Sequence, residues 1–261
     1  MQVALAIAGS DPTGGAGLQA DVQVFRALGV HGTGVLTALT VQDSGRVQQV
    51  LPVFPTVVLD QLRVLLADIP PQAVKLGMLA TDDVARNVEW GLATVPPELP
   101  LVIDPVLAAS DGTPLLEPRA IPSLERLIGR ATLVTPNLPE AQQLTDCDVG
   151  TQEGVEAAGC ALVSGLGARA ALVTGGHTEG PPDDLLVVRE GGSQVLTWLA
   201  GQRREVGPVH GTGCTLSSAV TAYLARGDDL EVAIERGRRF VAKALDGAAQ
   251  VGKLARFLSY G

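Results

Sequence analysis

The chain has 261 residues, of which 46% are hydrophobic, enough to bury a sizeable core in one α/β domain spanning residues 1–261. A formal charge of −9 with no dense basic stripe argues against a nucleic-acid or anionic-membrane partner, so a negatively charged substrate has to be captured locally. The longest apolar runs are too short to span a bilayer, and three cysteines without ligand-like spacing or a leader fit a reducing cytoplasm.

Val3 to Ala8 is a short apolar run, broken by Gly9-Ser10-Asp11-Pro12-Thr13-Gly14-Gly15-Ala16-Gly17. Helical spacing resumes from Leu18 to Leu28, before Gly29, so the order is strand, glycine loop, helix. Strands are expected at 34–40, 74–79, 101–106, 132–135 and 170–174, and helices at 55–67, 82–94, 119–128, 140–144 and 153–166. This alternation, with Val/Leu/Ile-rich strands, implies a mainly parallel sheet covered by helices on both faces, with ligands beyond the carboxyl ends of the strands. Two segments break the pattern. One is Val47–Val53; the other is the pair 185–189 and 194–198, split by Glu190-Gly191-Gly192-Ser193, which reads as an antiparallel hairpin at an edge.

The chemistry concentrates at Gly211-Thr212-Gly213-Cys214. The small and apolar residues after Cys214 are those of a packed helix ending near Arg226-Gly227, so the helix begins inside this turn. First-turn N–H groups are unpaired and carry partial positive charge, and two glycines let a phosphate approach them. Cys214 projects from the same turn, where the helix dipole is expected to lower its pKa and favour a thiolate base or nucleophile. A glycine-rich helix start with a buried cysteine is the competing reading.

Other motifs fall at strand ends. Asp104-Pro105 puts a carboxylate at the mouth of the sheet. Asn137 to Glu140 has the spacing of a helix capping box as well as that of a ligand pair. Gly175-Gly176-His177 follows a strand, and its histidine reads more readily as a loop residue than as a catalyst. The stretch from Gly15 to Ala20 fits G-x-G-x-x-A, with Asp43 as the acid of a dinucleotide site, but the loop is long and Asp43 is flanked by turn residues. A Walker A motif is excluded, because no Lys-Ser or Lys-Thr follows the glycines.

Taken together, the motifs from Ala8 to Asp21, Thr37 to Gln42, Lys75 to Leu79, Asp104 to Val106, Thr135 to Ala141, Gly175 to His177 and His210 to Thr215 resemble the hydroxymethylpyrimidine and phosphomethylpyrimidine kinases of thiamine biosynthesis, in the ribokinase-like superfamily. The resemblance spans nearly the whole chain and implies a three-layer α/β/α fold with a mainly parallel central sheet and a small antiparallel edge. It also implies ATP-dependent phosphorylation of 4-amino-5-hydroxymethyl-2-methylpyrimidine and then of its monophosphate, and a homodimer. Gly211, Thr212, Gly213 and Cys214 would be catalytic, with Cys214 as the base where many relatives carry aspartate. Gln42, Asp21, Ala16, Gly9, Met78 and Val106 would bind the pyrimidine. Asn137, Thr174, Thr212 and Gly213 would bind ATP, and Asp104 and Glu140 would hold Mg²⁺.

Two departures stand out. Relatives commonly place lysine before Gly-Gly-His, whereas this chain has Thr174, with Arg203 or Arg204 as substitutes from a nearby loop. The stretch from Val251 to Gly261 keeps only a Val-Gly-Lys trace of the family's tail. Pyridoxal kinase activity, a binding protein that has lost catalysis, and a NAD-dependent oxidoreductase are the alternatives.

Overall fold

The computed structural model describes residues 1–176, 181–204 and 206–261. Nine strands form one sheet in the order β3-β2-β1-β4-β5-β6-β7-β8-β9. They are β1 (Val3–Ser10), β2 (His31–Gln42), β3 (Val47–Pro52), β4 (Ala73–Leu76), β5 (Leu101–Ile103), β6 (Leu133–Val134), β7 (Ala170–Val173), β8 (Asp184–Glu190) and β9 (Ser193–Leu199). The run from β2 through β1, β4, β5 and β6 to β7 is parallel. Both edges are antiparallel, β3 on β2 and the β8–β9 hairpin on β7, so antiparallel pairing is more extensive than the single small edge expected. The expected strand limits of 74–79 and 101–106 shorten to four and three residues, because the chain leaves the ladder at Gly77 and Asp104 to shape the site.

Strand alternation sends successive β1 residues to opposite layers. Leu5 and Ile7 join one core with Val58, Leu62, Val84, Val88, Leu124 and Leu144, under α2 (Pro55–Asp68), α3 (Asp82–Leu92), α4 (Ile121–Ile128), α5 (Leu138–Thr145) and α6 (Gln152–Cys160). Ala4 and Ala6 join the other with Phe25, Leu216, Val220 and Ile234, under α1 (Gly17–Ala27), α7 (Thr212–Ala225) and α8 (Leu230–Asp246). This is the three-layer ribokinase-like arrangement. The helix expected over 153–166 changes pitch after Cys160, with a π turn over Ala161–Gly165.

A second, small sheet joins β10 (Val209–His210) in parallel to β12 (Arg256–Phe257), which pairs antiparallel with β11 (Ala249–Gln250). From β1 the chain steps to β2 on one side, and β4 lies on the other. The crevice at the carboxyl ends of β1 and β4 is therefore where such a sheet takes a ligand.

Candidate active site

Gly211 caps α7 in the left-handed conformation, at φ 82°, with no side chain closing the helix end. The first intrahelical bond at this end runs from Thr215 N to Gly211 O, so the N–H groups of Thr212, Gly213 and Cys214 have no partner within the helix. A Cβ on Gly211 would lie 1.8 Å from Gly15 O, and one on Gly17, at φ 59°, would lie 2.4 Å from Gly9 O. Glycine is thus required where the first loop touches the α7 turn and where it folds back on β1. At Gly213 a Cβ would meet nothing nearer than Asp104 Oδ2 at 3.8 Å, so this glycine leaves open space in front of the helix.

Beneath the turn lies a buried charge cluster. Lys75 and Asp21 are both fully buried, with Lys75 Nζ 2.9 Å from each Asp21 oxygen and the Ser218 hydroxyl donating to Asp21 Oδ1 at 2.6 Å. Asp21 therefore departs from its expected role: it sits under the floor with its oxygens engaged and offers no surface to a pyrimidine. Burial opposes the Lys75 charge, but Asp21, with Cys214 and Asp104 behind it, outweighs burial and raises the lysine pKa. Asp104, just past the end of β5, is buried and accepts from Ser217 Oγ at 3.2 Å. Desolvation raises its pKa, Lys75 pulls it back and Asp21 adds to the rise.

Cys214 does not show the lowered pKa expected of a helix N-terminus. Desolvation pushes its thiol up to about 12; Lys75 and the Gly17 N–H act in the opposite direction, and Asp104 and Asp21 reinforce the rise. Two buried carboxylates and poor solvation outweigh the dipole.

Asn137 and Glu140 form a complete capping box at the start of α5. Glu140 N donates to Asn137 Oδ1 and Asn137 N to Glu140 Oε2, both at 2.9 Å. Glu140 also stands close to Asp104. Burial first, and then that like charge, push its pKa up to about 8 against the backbone donors Asn137 and Leu107. Two neighbouring carboxylates that resist ionising together suit a hard divalent cation, which takes carboxylate, water and phosphate oxygens. Among the described residues no group of three or more His, Cys, Asp or Glu forms a closed cage, so Asp104 and Glu140 would supply a pair of ligands only.

The remaining expected residues divide by strand end. Gly9 closes β1 under Met78, whose sulfur would lie 2.8 Å from a Cβ there. Met78 is buried with Ala38 and Ala80, and half-buried Val106 packs against them. Half-buried Gln42 ends β2, with Oε1 accepting from Thr40 Oγ1 at 2.9 Å, and Ala16 is the residue before α1. Thr174 lies across the site, its N–H donating to Pro136 O at 2.9 Å and its hydroxyl reaching the same oxygen at 3.5 Å. Arg204 pairs with Asp246 at 2.5 Å near the surface, an ion pair weak enough to leave it a candidate stand-in for the lysine that the resemblance leads one to expect. His177 lies outside the described residues. Asp43 accepts from Gly45 N and Arg46 N in the β2–β3 turn, so it is a turn residue and no ribose ligand.

Sequence reasoning missed Lys75 and Ser218, although a lysine inside the apolar strand Ala73–Leu76 is itself a signal, since a buried ammonium needs a partner. It also assigned no role to Asp11, whose carboxylate holds Thr13 N at 2.8 Å, Ala16 N at 2.8 Å and His210 Nε2 at 3.1 Å. That carboxylate ties the first glycine loop to the strand entering the α7 turn.

The phosphomethylpyrimidine kinase family model matches residues 11–258. The chain belongs to this family. It is 40% identical over 249 residues to the hydroxymethylpyrimidine/phosphomethylpyrimidine kinase of Streptomyces coelicolor, covering 95% of this chain and 90% of the relative. It is 34% identical over 255 residues to that of Staphylococcus aureus, covering 97% and 91%. Among solved structures, the phosphomethylpyrimidine kinase of Clostridium difficile superposes with a TM-score of 0.82 at 33% identity, over 94% of this chain and all of that one. An ADP complex of Bacillus subtilis pyridoxal kinase superposes with a TM-score of 0.89 at 31% identity, over all of this chain and 97% of that one.

Proposed function

We propose that the chain phosphorylates 4-amino-5-hydroxymethyl-2-methylpyrimidine and then its monophosphate from ATP, supplying the diphosphate used to build thiamine. The observation that carries this is the open α7 turn, with three N–H groups that have no partner within the helix, an unobstructed Gly213, and Cys214 and Asp104 beside it. Donors fixed in advance where charge develops on a transferring phosphoryl group are what this chemistry needs. Thr212 and Gly213 would meet phosphoryl oxygens, while Gln42, Ala16, Gly9, Met78 and Val106 would receive the ring and Asn137 and Thr174 would border the nucleotide. Asp21 moves from the pyrimidine to the support of Lys75.

Asp104 and Glu140 would hold Mg²⁺, which supplies charge neutralisation to the ATP phosphates. Lys75 favours the Cys214 thiolate, against the opposing charges of Asp104 and Asp21. Cys214 would first give up its own thiol proton to solvent, and the Sγ thiolate would then accept the proton of the attacking hydroxymethyl group. The reading includes one catalytic unit over residues 1–261, a cytoplasmic setting and a homodimer. The exposed apolar side chains of Leu39, Val41, Leu51 and Phe54 on the β2–β3 edge offer a surface for the dimer, which a monomer in light scattering would contradict. No helix among the described residues is long and apolar enough to cross a membrane.

Pyridoxal phosphorylation is the second reading, favoured by the close superposition on pyridoxal kinases. A coupled assay with the hydroxymethylpyrimidine, its monophosphate and pyridoxal side by side decides between the two. Turnover of both pyrimidine species, with pyridoxal slower, is expected; preferential turnover of pyridoxal would overturn the assignment.

A further inference from the structure

We infer that the segment 249–260 is a strap that positions the α7 turn, and that Tyr260 is its positioning residue. The inference rests on the reading of that turn as the phosphoryl site. The segment leaves α8, adds β12 to β10 immediately before the turn, and returns to α8, where Ser259 N donates to Ala244 O at 3.4 Å. Phe257 and His210 pack on the first glycine loop so closely that a Cβ on Gly15 would lie 2.8 and 2.9 Å from them. Tyr260 stacks on Phe240 of α8, with ring centroids 5.9 Å apart and planes 13° from parallel. Its hydroxyl is 2.9 Å from Thr215 Oγ1, which in turn donates to Gly211 O at 2.8 Å.

Because the Thr215 proton goes to Gly211 O, the phenol is the donor to Thr215. Burial pushes the phenol pKa up to about 12, so it keeps that proton at neutral pH. The chain of bonds therefore runs from the stacked tyrosine through Thr215 to the carbonyl of the residue that caps the helix in a left-handed conformation. Gly211 O also accepts Thr215 N at 2.9 Å. Restraining this peptide fixes the direction of the next N–H groups, the ones that would face phosphoryl oxygens. A displaced donor set costs transition-state binding more than ground-state binding.

Tyr260→Phe keeps the ring stack and removes only the donor, while Thr215→Val removes the relay. Each is expected to lower kcat about fivefold, the worth of one neutral hydrogen bond, with KM for ATP and pyrimidine changed less than about twofold and Tm lowered by no more than about 2–4 °C. The double variant should be no slower than Thr215→Val alone, because the two groups act in series. Gly213→Ala, which the fold accommodates, tests the parent reading and should lower kcat strongly. If Gly213→Ala is impaired but Tyr260→Phe turns over normally, or Tyr260→Phe loses kcat only with a Tm drop of about 10 °C or more, well beyond one hydrogen bond, the strap is overturned and the phosphoryl site stands. Normal turnover in Gly213→Ala overturns both.

Discussion

At the α7 turn the backbone is dictated by contact, whereas across the crevice the nucleotide side is held by ordinary local structure. Gly211 and Gly17 are pressed against the carbonyls of Gly15 and Gly9, and a fully buried Lys75–Asp21 pair lies below. On the other side Asn137 and Glu140 make a capping box that any helix could use, and Thr174 offers a neutral hydroxyl where the family resemblance leads one to expect lysine. The difference teaches that Gly211 and Gly17 leave no room for a side chain, even though Gly213 beside them does. Under the proposed function the nucleotide half would tolerate more change, because a divalent cation and the substrate's own phosphates would supply much of its order.

The sharpest way to break this contrast is Gly211→Ala. A side chain at φ 82° facing Gly15 O at 1.8 Å combines backbone strain of roughly 1–3 kcal/mol with a steric clash. Loss of about 10²-fold or more in kcat with a lowered Tm is expected from kinetics and thermal melting. Near-normal activity would mean the turn is not dictated by contact.

Next in size is Gln42→Leu, on the pyrimidine side. Thr40 fixes one end of this amide, and leaving a buried polar ring group unpaired costs about 1–3 kcal/mol. Calorimetry should show pyrimidine binding weakened roughly 5- to 150-fold by that cost, with ATP binding unchanged. Equal loss of both ligands would point to misfolding.

The Asp104–Glu140 pair gives a pH signature on the nucleotide side. The folded-state pKa of Glu140 is raised from 4.5 to about 8, so the fold favours the protonated form. Stability from this group is fully present below about 4.5 and is lost as pH rises through about 8. Thermal melts of metal-free protein should therefore show a decline across that window that Glu140→Gln removes and that Mg²⁺ opposes. A Glu140→Gln profile parallel to the natural one would contradict the pairing.

The smallest effect is expected at Thr174→Lys. A charge-assisted bond is about twice as strong as a neutral one, so KM for ATP should fall several-fold with little change for the pyrimidine. An unchanged KM would mean that another cation already serves the phosphates.

How much of this was legible in the sequence follows from how local each feature is. The strand, glycine loop and helix of residues 3–28 read directly, as did the start of α7 inside Gly211–Cys214, because turn chemistry and periodicity are local. The capping box read equally well, but its proximity to Asp104 depends on β5 and β6 being neighbours. Lys75 and Asp21 are 54 positions apart, so nothing local announced their pairing or the resulting removal of Asp21 from the pyrimidine. The Cys214 thiol was misjudged for the same reason, since the burial that raises its pKa, and the two carboxylates that reinforce it, come from α1 and the end of β5 brought together by the fold. The two-residue strands of the tail are too short to show a period.

The central claim is that Cys214, backed by Lys75, moves the proton at the phosphoryl turn. Its most direct test is Cys214→Ala, with turnover and pyrimidine affinity measured on the same preparation. A fall in kcat of about 10²–10⁴-fold at unchanged pyrimidine affinity is the predicted result. Normal turnover would contradict the account and leave the cysteine as a packing residue of α7.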